Sequence, residues 1–171
     1  MKKFPAPNFF NGVSKIIKLS LYLETTVFNY YFDEDREGHE DVIKLFDAIR
    51  AGEFETYTSD YVIRELRNAP EPKRSKMLAL IDDYKIKSLD FNSKVIRLGE
   101  LYMEKGIIPS SQRFDSMHVA MASVYEIDCI ISYNFQHINR NKTKLLTASV
   151  NKEEGYGGTT IATAEEVLNH E

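Results

Sequence analysis

Residues 110–138, with the sequence SSQRFDSMHVAMASVYEIDCIISYNFQHI, decide the fold of this chain. They predict a helix over about residues 111–125 that carries Asp115 near its first turn, then a turn and a short buried strand at residues 129–131. The strand is apolar on both faces and ends in Ser132, Tyr133 and Asn134. Open α/β sheets present ligand-binding groups at the carboxyl ends of such strands. We therefore expect a functional site beside this end of the strand.

The rest of the chain repeats this alternation of short apolar strands and longer helices. Strands are predicted at residues 16–23, 55–58, 85–89 and 159–161, and helices at residues 27–32, 40–50, 61–68, 74–84, 92–105 and 164–169. Residues 139–158 are polar and include several glycines, and no helix is predicted there. The pattern predicts an α/β fold with three layers, α/β/α, around a central, mostly parallel sheet. Residues 1–14, rich in Pro and Asn, are expected to form an N-terminal extension, either flexible or lying over the surface, and residues 15–171 a single domain.

Length, composition and charge limit the classes of protein to consider. The chain has 171 residues, a formal net charge of −4 and an isoelectric point near 5.6. This charge is unlike that of a protein that coats nucleic acid by bulk electrostatics, although carboxylates that hold a metal ion can still face phosphates. The single cysteine, Cys129, lies in an apolar strand, which favours a buried thiol in a reducing compartment. Neither a secretory signal nor a membrane-spanning run is apparent, so we expect a cytoplasmic protein that does not enter the membrane.

Glu24 directly follows the first predicted strand. A carboxylate there is unusual, because burying an unpaired charge costs several kcal/mol unless it is hydrogen-bonded, paired or bound to metal. The hydroxyl groups of Thr25 and Thr26 could cap the next helix or orient the Glu24 carboxylate. The alternative is that Glu24 belongs to the first turn of that helix, where a negative charge suits the helix dipole.

Glu65, Asp115 and His118 each have an ordinary structural interpretation as well. From the residues alone, Glu65 is best explained as an exposed helix side chain that pairs with Arg64 or Arg67. Asp115 would compensate the dipole of its helix. His118 would pair with Asp115 or face solvent.

The arrangement of these residues favours a shared site. Ends of the first and fourth strands of a doubly wound sheet can be neighbours where the strand order reverses, and clefts form there. Glu24, Glu65, Asp115 and Asn134 would converge at that point. Their carboxylates would repel one another strongly without a cation, and a hard ion such as Mg²⁺ with oxygen ligands would relieve the repulsion.

Three segments, LYLETTVFNYYF, YTSDYVIREL and FDSMHVAMASVYEIDCIISYNFQHI, resemble in order and spacing the three acidic motifs of the PIN-domain family. This family comprises metal-dependent ribonucleases that are common among bacterial toxins of the VapC type. The resemblance covers about residues 15–142 and implies a carboxylate cluster that binds Mg²⁺ or Mn²⁺ and hydrolyses RNA. Glu24 stands where the family usually has its first aspartate, and Glu65 and Asp115 match the second and third acids. Asn134 replaces a further acid that many members have.

The resemblance also implies a mechanism and partners. Glu24, Glu65 and Asp115 would hold the metal, while Asn134, with Ser132 or Thr25, would orient water or phosphate. RNA is the expected substrate, a small antitoxin the expected protein partner, and a homodimer the expected assembly. One alternative is a PIN-like module that binds RNA or a protein without catalysis, given the departures at Glu24 and Asn134. Another is a phosphoryl-accepting or phosphatase domain, which is disfavoured because it needs a nucleophilic aspartate after the first strand.

Overall fold

The computed structural model describes residues 17–169, and these contain one five-stranded sheet. Its strands are β1 Ser20–Leu23, β2 Glu55–Ser59, β3 Lys87–Leu89, β4 Cys129–Ile131 and β5 Thr160–Ala162. They lie in the order β3-β2-β1-β4-β5, and every pairing is parallel. The predicted fold class is thus confirmed, with a sheet that is wholly rather than mostly parallel. The expected extension at residues 1–14 falls outside the described part of the chain.

Helices flank the sheet. In chain order they are α1 Thr25–Phe32, α2 His39–Arg50, α3 Asp60–Arg67, α4 Lys73–Asp83, α5 Ser93–Glu104, α6 Arg113–Val124, α7 Asn141–Glu153 and α8 Ala164–Leu168. In one group, α5 packs against α6. In a second group, α1 packs against α2, α3 and α4, and α2 also packs against α8. No helix within residues 17–169 is long and apolar enough to cross a membrane.

The strand order reverses between β1 and β4. The chain builds β1, β2 and β3 in one direction, then returns through α5 and α6 to place β4 on the other side of β1. Leu23, the last residue of β1, pairs with Ile131, the last residue of β4. The carboxyl ends of these two strands are therefore direct neighbours, as expected, and the polar residues that follow them are brought together.

Helix α7 was not predicted, because its buried face is polar. Thr143, Thr147 and Asn151 recur every fourth residue and are buried, whereas Leu145 and Leu146 are exposed. Local hydrogen bonds satisfy the threonines: Thr143 Oγ1 donates to the His137 carbonyl and Thr147 Oγ1 to the Thr143 carbonyl, both at 2.6 Å. A helix whose apolar side chains point outward lacks the periodicity by which amphipathic helices are recognised.

Residues that commonly cap helices lie at the ends of α2 and α3, and Cys129 is buried. Ser59 caps α3, and its Oγ accepts a hydrogen bond of 3.2 Å from the Val62 amide. Gly52, which follows the end of α2, has a φ of 79°, the left-handed conformation that glycine adopts readily. Cys129 is a free thiol and is 5% exposed, as predicted.

Candidate metal centre

Glu24 lies at the boundary between β1 and α1, where it is only 3% exposed. Its Oε2 accepts hydrogen bonds from Thr26 Oγ1 at 2.6 Å and from Ser132 Oγ at 2.8 Å. Its backbone amide donates to the Ile131 carbonyl at 3.2 Å. Glu24 is therefore the N-cap residue of α1, but its side chain makes no capping bond and is held across the β1–β4 edge instead.

The hydroxyl groups that hold Glu24 also shape the segment after β4. The Tyr133 amide donates to Thr26 Oγ1 at 2.8 Å, and the Asn134 amide donates to Ser132 Oγ at 3.0 Å. Asn134 Oδ1 in turn accepts from the His137 amide at 3.1 Å. Because these bonds form one connected set, the position of Asn134 is linked to that of the Glu24 carboxylate.

A second chain of hydrogen bonds fixes Glu65. His118 is 1% exposed, and its Nε2 lies 2.5 Å from Glu65 Oε1. Its Nδ1 lies 2.7 Å from the Tyr22 hydroxyl, which is also 2.7 Å from Ser59 Oγ. If Ser59 donates to Tyr22, and Tyr22 to Nδ1, the ring carries its proton on Nε2 and donates it to Glu65.

These contacts correct two expectations. Glu65 pairs with His118 rather than with Arg64 or Arg67, because its position on α3 directs it toward α6. His118 neither pairs with Asp115 nor faces solvent, since both of its nitrogens are bonded to other residues. Glu65 is thus a fixed carboxylate at the sheet edge, with a side chain 28% exposed.

Asp115 lies in the first turn of α6 and is partly buried. Burial raises the pKa of its carboxyl group, and the interactions with His118 and with the Asn134 side chain oppose that rise. The charge of Glu65 raises the same pKa further. Glu65, His118 and Asn134 are thus among the groups that influence the ionisation of Asp115.

The pKa of Glu24 is also shifted by burial and by its neighbours. Burial raises the pKa of Glu24, against the effects of His118, Thr26 and Ser132, and the charge of Glu65 raises it again. For His118, burial opposes protonation, but the hydrogen bond to Glu65 and the charges of Glu65, Glu24 and Asp115 outweigh it and raise the pKa. Burial, with the charge of Glu65 as a smaller contribution, thus makes Glu24 and Asp115 harder to ionise, which is a situation that a bound cation relieves.

Oxygen donors of this kind fit Mg²⁺ or Mn²⁺ chemically. Thr25 Oγ1 is an additional oxygen atom of this kind. It is buried and has no hydrogen-bond partner among residues 17–169. Within the same residues, however, no group of three or more His, Cys, Asp or Glu side chains is arranged so that it could hold a metal ion. The charge of Glu65 raises the pKa of both Glu24 and Asp115, but the three carboxylates do not form a closed set of ligands.

Several residues of this centre were not recognised from the sequence. Tyr22 supports His118 from within β1, and of the two threonines considered for Glu24 it is Thr26 that holds the carboxylate. His137 approaches Asp115 closely enough for its charge to lower the pKa of that residue. A usable signal existed only for His118, which follows Asp115 by three positions and therefore shares its side of α6.

The structure is similar to solved structures of toxin–antitoxin proteins. VapBC2 from Rickettsia felis bound to a promoter DNA fragment matches with a TM-score of 0.54 at 14% identity, covering 85% of this chain and 98% of that one. DNA-bound VapBC from Salmonella typhimurium matches with a TM-score of 0.54 at 12% identity and the same two coverages, 85% and 98%. At such identities the similarity shows the fold alone. No curated protein matches the sequence. The family model for the PIN domain matches residues 21–142, which include every candidate residue of the centre, and the chain therefore belongs to the PIN-domain family.

Proposed function

We propose that this protein is a Mg²⁺- or Mn²⁺-dependent endoribonuclease and the toxin of a type II toxin–antitoxin pair. The observation that carries the proposal is the gathering of Glu24, Glu65, Asp115 and Asn134 at the β1–β4 edge of a PIN domain. A buried carboxylate costs folding free energy, so its retention at this edge calls for a role that needs the charge.

The residues divide into metal ligands and groups that position them. Glu24 is held through Oε2, which leaves Oε1 for a cation. Glu65 is held through Oε1, which leaves Oε2. Asp115 supplies the third carboxylate, and its neighbour Asn134 supplies a neutral amide. A bound metal ion would activate water and neutralise charge on the reacting phosphate.

The polar groups around the carboxylates have distinct tasks. Ser132 and Thr26 position Glu24, because both donate to its Oε2. Thr25 is the better candidate to bind a water molecule or a phosphate oxygen, since its hydroxyl is unpartnered within the described part of the chain. The Asn134 amide can donate to a phosphate oxygen without the repulsion that a carboxylate would impose there.

The proposed partners rest on similarity. The two matched structures are VapBC complexes, which supports an antitoxin as the protein partner of this chain. An antitoxin segment that covers the β1–β4 edge would block access to the carboxylates. A homodimer is proposed from the family resemblance alone.

Cleavage of RNA by the purified protein tests the function. A mixture of single-stranded RNAs is incubated with Mg²⁺, Mn²⁺ or EDTA, and the products are separated on a denaturing gel. The proposal expects cleavage with either metal, none with EDTA, and none by Asp115→Asn, which should remain folded by circular dichroism. Cleavage by Asp115→Asn at the wild-type rate would show that the assignment of the centre is wrong.

One observation favours a second candidate, a PIN module that binds RNA or protein without cleaving RNA. Among residues 17–169 no ready three-ligand metal site is present, and Asn134 replaces an acid. Calorimetric titration with Mn²⁺ separates the two candidates. A catalytic centre should give binding heat that Asp115→Asn loses, whereas a binding module needs no such site.

A further inference from the structure

Two exposed phenylalanine rings flank the candidate metal centre. Phe114 directly precedes Asp115 and is 41% exposed, and Phe135 directly follows Asn134 and is 56% exposed. Ser132 Oγ donates to Glu24 Oε2 at 2.8 Å and accepts from the Asn134 amide at 3.0 Å, and the Asn134 side chain is close enough to Asp115 to lower the pKa of that carboxyl group. Each phenylalanine is therefore the sequence neighbour of a residue of the centre.

Phe135 packs against a cluster of aromatic rings. Its ring meets that of Tyr133 edge to face, with centroids 6.2 Å apart, and Tyr133 stacks on Tyr30 at 4.1 Å. The Arg36 guanidinium lies over the Tyr30 ring, 5.0 Å from its centroid. Gly38 permits this packing, because it has a φ of 97° and a Cβ there would lie 2.9 Å from Tyr133 Cε1.

The groove beside Phe135 is better suited to bind a nucleobase than a phosphate group. It has a volume of about 430 Å³, and its lining includes Tyr30, Tyr133 and Phe135. Besides Arg36, the charged groups that line it are the carboxylates of Glu37, Asp41 and Glu165. Three carboxylates against one guanidinium repel a phosphate but accept hydrogen bonds from the N–H groups on the edge of a nucleobase.

Phe114 also packs against a cluster of aromatic rings, and two arginines lie beside it, one of which, Arg113, pairs with Glu100 at 3.2 Å. Its ring packs edge to face on Tyr61 at 5.1 Å, and Tyr61 contacts Phe91 at 4.5 Å. The Arg64 guanidinium lies over the Tyr61 ring, 5.4 Å from its centroid, and Arg113 adjoins Phe114 in the sequence. Exposed aromatic rings next to arginines are the combination by which proteins hold single-stranded nucleic acid, through stacking and attraction of the backbone.

We propose that Phe114 and Phe135 are stacking platforms for two bases of single-stranded RNA, on opposite sides of the phosphate that the carboxylates address. This inference rests on the proposed ribonuclease function and adds to it how the substrate strand is held. The strand crosses the β1–β4 edge, with one base on Phe135 in the carboxylate-lined groove. The other base lies on Phe114, where Arg64 and Arg113 meet the backbone phosphates.

Single tryptophans test the platforms directly, since the natural sequence has none. Phe114→Trp, Phe135→Trp and the control Leu145→Trp, at a 71% exposed position on α7, are titrated with hexaadenylate RNA in EDTA at low ionic strength. Stacking of a base on the indole should quench fluorescence saturably in the first two variants and leave the control unchanged. Absence of quenching in Phe114→Trp and Phe135→Trp, or equal quenching in all three, would overturn the proposal.

Alanine variants give the energetic counterpart. Because stacking contributes about 1–3 kcal/mol per base, Phe114→Ala and Phe135→Ala should each raise the Kd for hexaadenylate by about 5- to 150-fold, with Leu145→Ala as the control. Unchanged Kd values in both phenylalanine variants would contradict the platforms. These measurements need no catalysis, so they remain decisive if the protein never cleaves RNA. Conversely, if the wild type cleaves RNA but neither Phe114→Trp nor Phe135→Trp shows quenching, the platforms are refuted and the ribonuclease proposal stands.

Discussion

His118 and Glu65 lie 53 residues apart in the chain and are joined by a 2.5 Å contact between Nε2 and Oε1. The ring is buried between α3 and the sheet, and its second nitrogen is held by the Tyr22 hydroxyl at 2.7 Å. His118 is therefore a positioning residue for the Glu65 carboxylate. The proposed function makes Glu65 a metal ligand, and residues that position a metal ligand typically contribute 10- to 100-fold to metal affinity.

Substitution of His118 should consequently weaken metal binding. We expect His118→Ala to raise the Kd for Mn²⁺ by about 10- to 100-fold, measured by electron paramagnetic resonance of the free ion. His118→Gln, whose amide can still donate to Glu65, should restore much of the affinity. His39→Ala is the matched control, because the His39 ring bonds to the Tyr30 carbonyl and not to a carboxylate. Wild-type affinity in a folded His118→Ala protein would show that Glu65 needs no such support.

Two neighbouring threonines allow a comparison with one and the same substitution. Thr26→Val removes the donor to Glu24 Oε2 and the acceptor for the Tyr133 amide, so it should lower the free energy of unfolding by about 1–3 kcal/mol. Thr25→Val removes a hydroxyl that has no partner within residues 17–169, so stability should change little while RNA cleavage slows. Urea unfolding and cleavage rates measure the two effects. Equal loss of stability in both variants would contradict the observed hydrogen bonding.

Glu24 should be kept for its charge at the expense of stability. Burial raises the pKa of this carboxyl group, which means that the ionised form is disfavoured in the metal-free fold. Glu24→Gln preserves the size of the side chain and removes the charge, so the metal-free variant should melt at a higher temperature than the wild type while its Mn²⁺ affinity falls. Calorimetric melting with and without Mn²⁺ checks both. A variant that is less stable without metal and binds Mn²⁺ normally would refute this trade-off.

Tyr102 joins three helices and should produce a loss of stability in alkali. Its hydroxyl donates to Asn151 on α7 and lies 3.3 Å from Ser123 on α6. Tyr102→Phe removes the donor to the Asn151 side-chain Oδ1, which should cost about 1–3 kcal/mol in the free energy of unfolding at neutral pH.

The pH dependence of that difference follows from the burial of the phenol. Burial raises the pKa of Tyr102 in the folded state, against the hydrogen bonds with Ser123 and Asn151. The phenol therefore stabilises the fold fully below its unfolded pKa of about 10, and this contribution is lost as the pH rises through the higher folded value. Urea unfolding should show that the difference between wild type and Tyr102→Phe shrinks above about pH 10. A difference that widens in alkali would have the wrong sign.

Local patterns were sufficient to predict the sheet and the residues at its edge. The apolar strand that ends in Ser132 and Asn134 is placed beside β1, and Glu24 follows β1 as the sequence indicated. These predictions needed only short-range periodicity and the rule that strand order reverses at a cleft.

What the sequence did not predict depends on packing between distant segments. The side of α3 on which Glu65 lies is evident from periodicity, but that this side meets His118 on α6 is a tertiary fact. Which of two adjacent threonines reaches Glu24 depends on the phase of the first turn of α1. Helix α7 was not predicted because its buried face carries threonines in place of the expected apolar side chains. Their hydroxyls donate to nearby backbone carbonyls.

Anomalous diffraction from crystals soaked in Mn²⁺ shows whether the β1–β4 edge binds metal as the proposed nuclease centre requires. We expect an anomalous peak on the order of 2 Å from carboxylate oxygens of Glu24, Glu65 and Asp115, with His118 still bonded to Glu65. The same soak of Asp115→Asn crystals should lose the peak. A well-ordered wild-type crystal saturated with Mn²⁺ that shows no peak at these carboxylates, or shows one only elsewhere, would contradict the account.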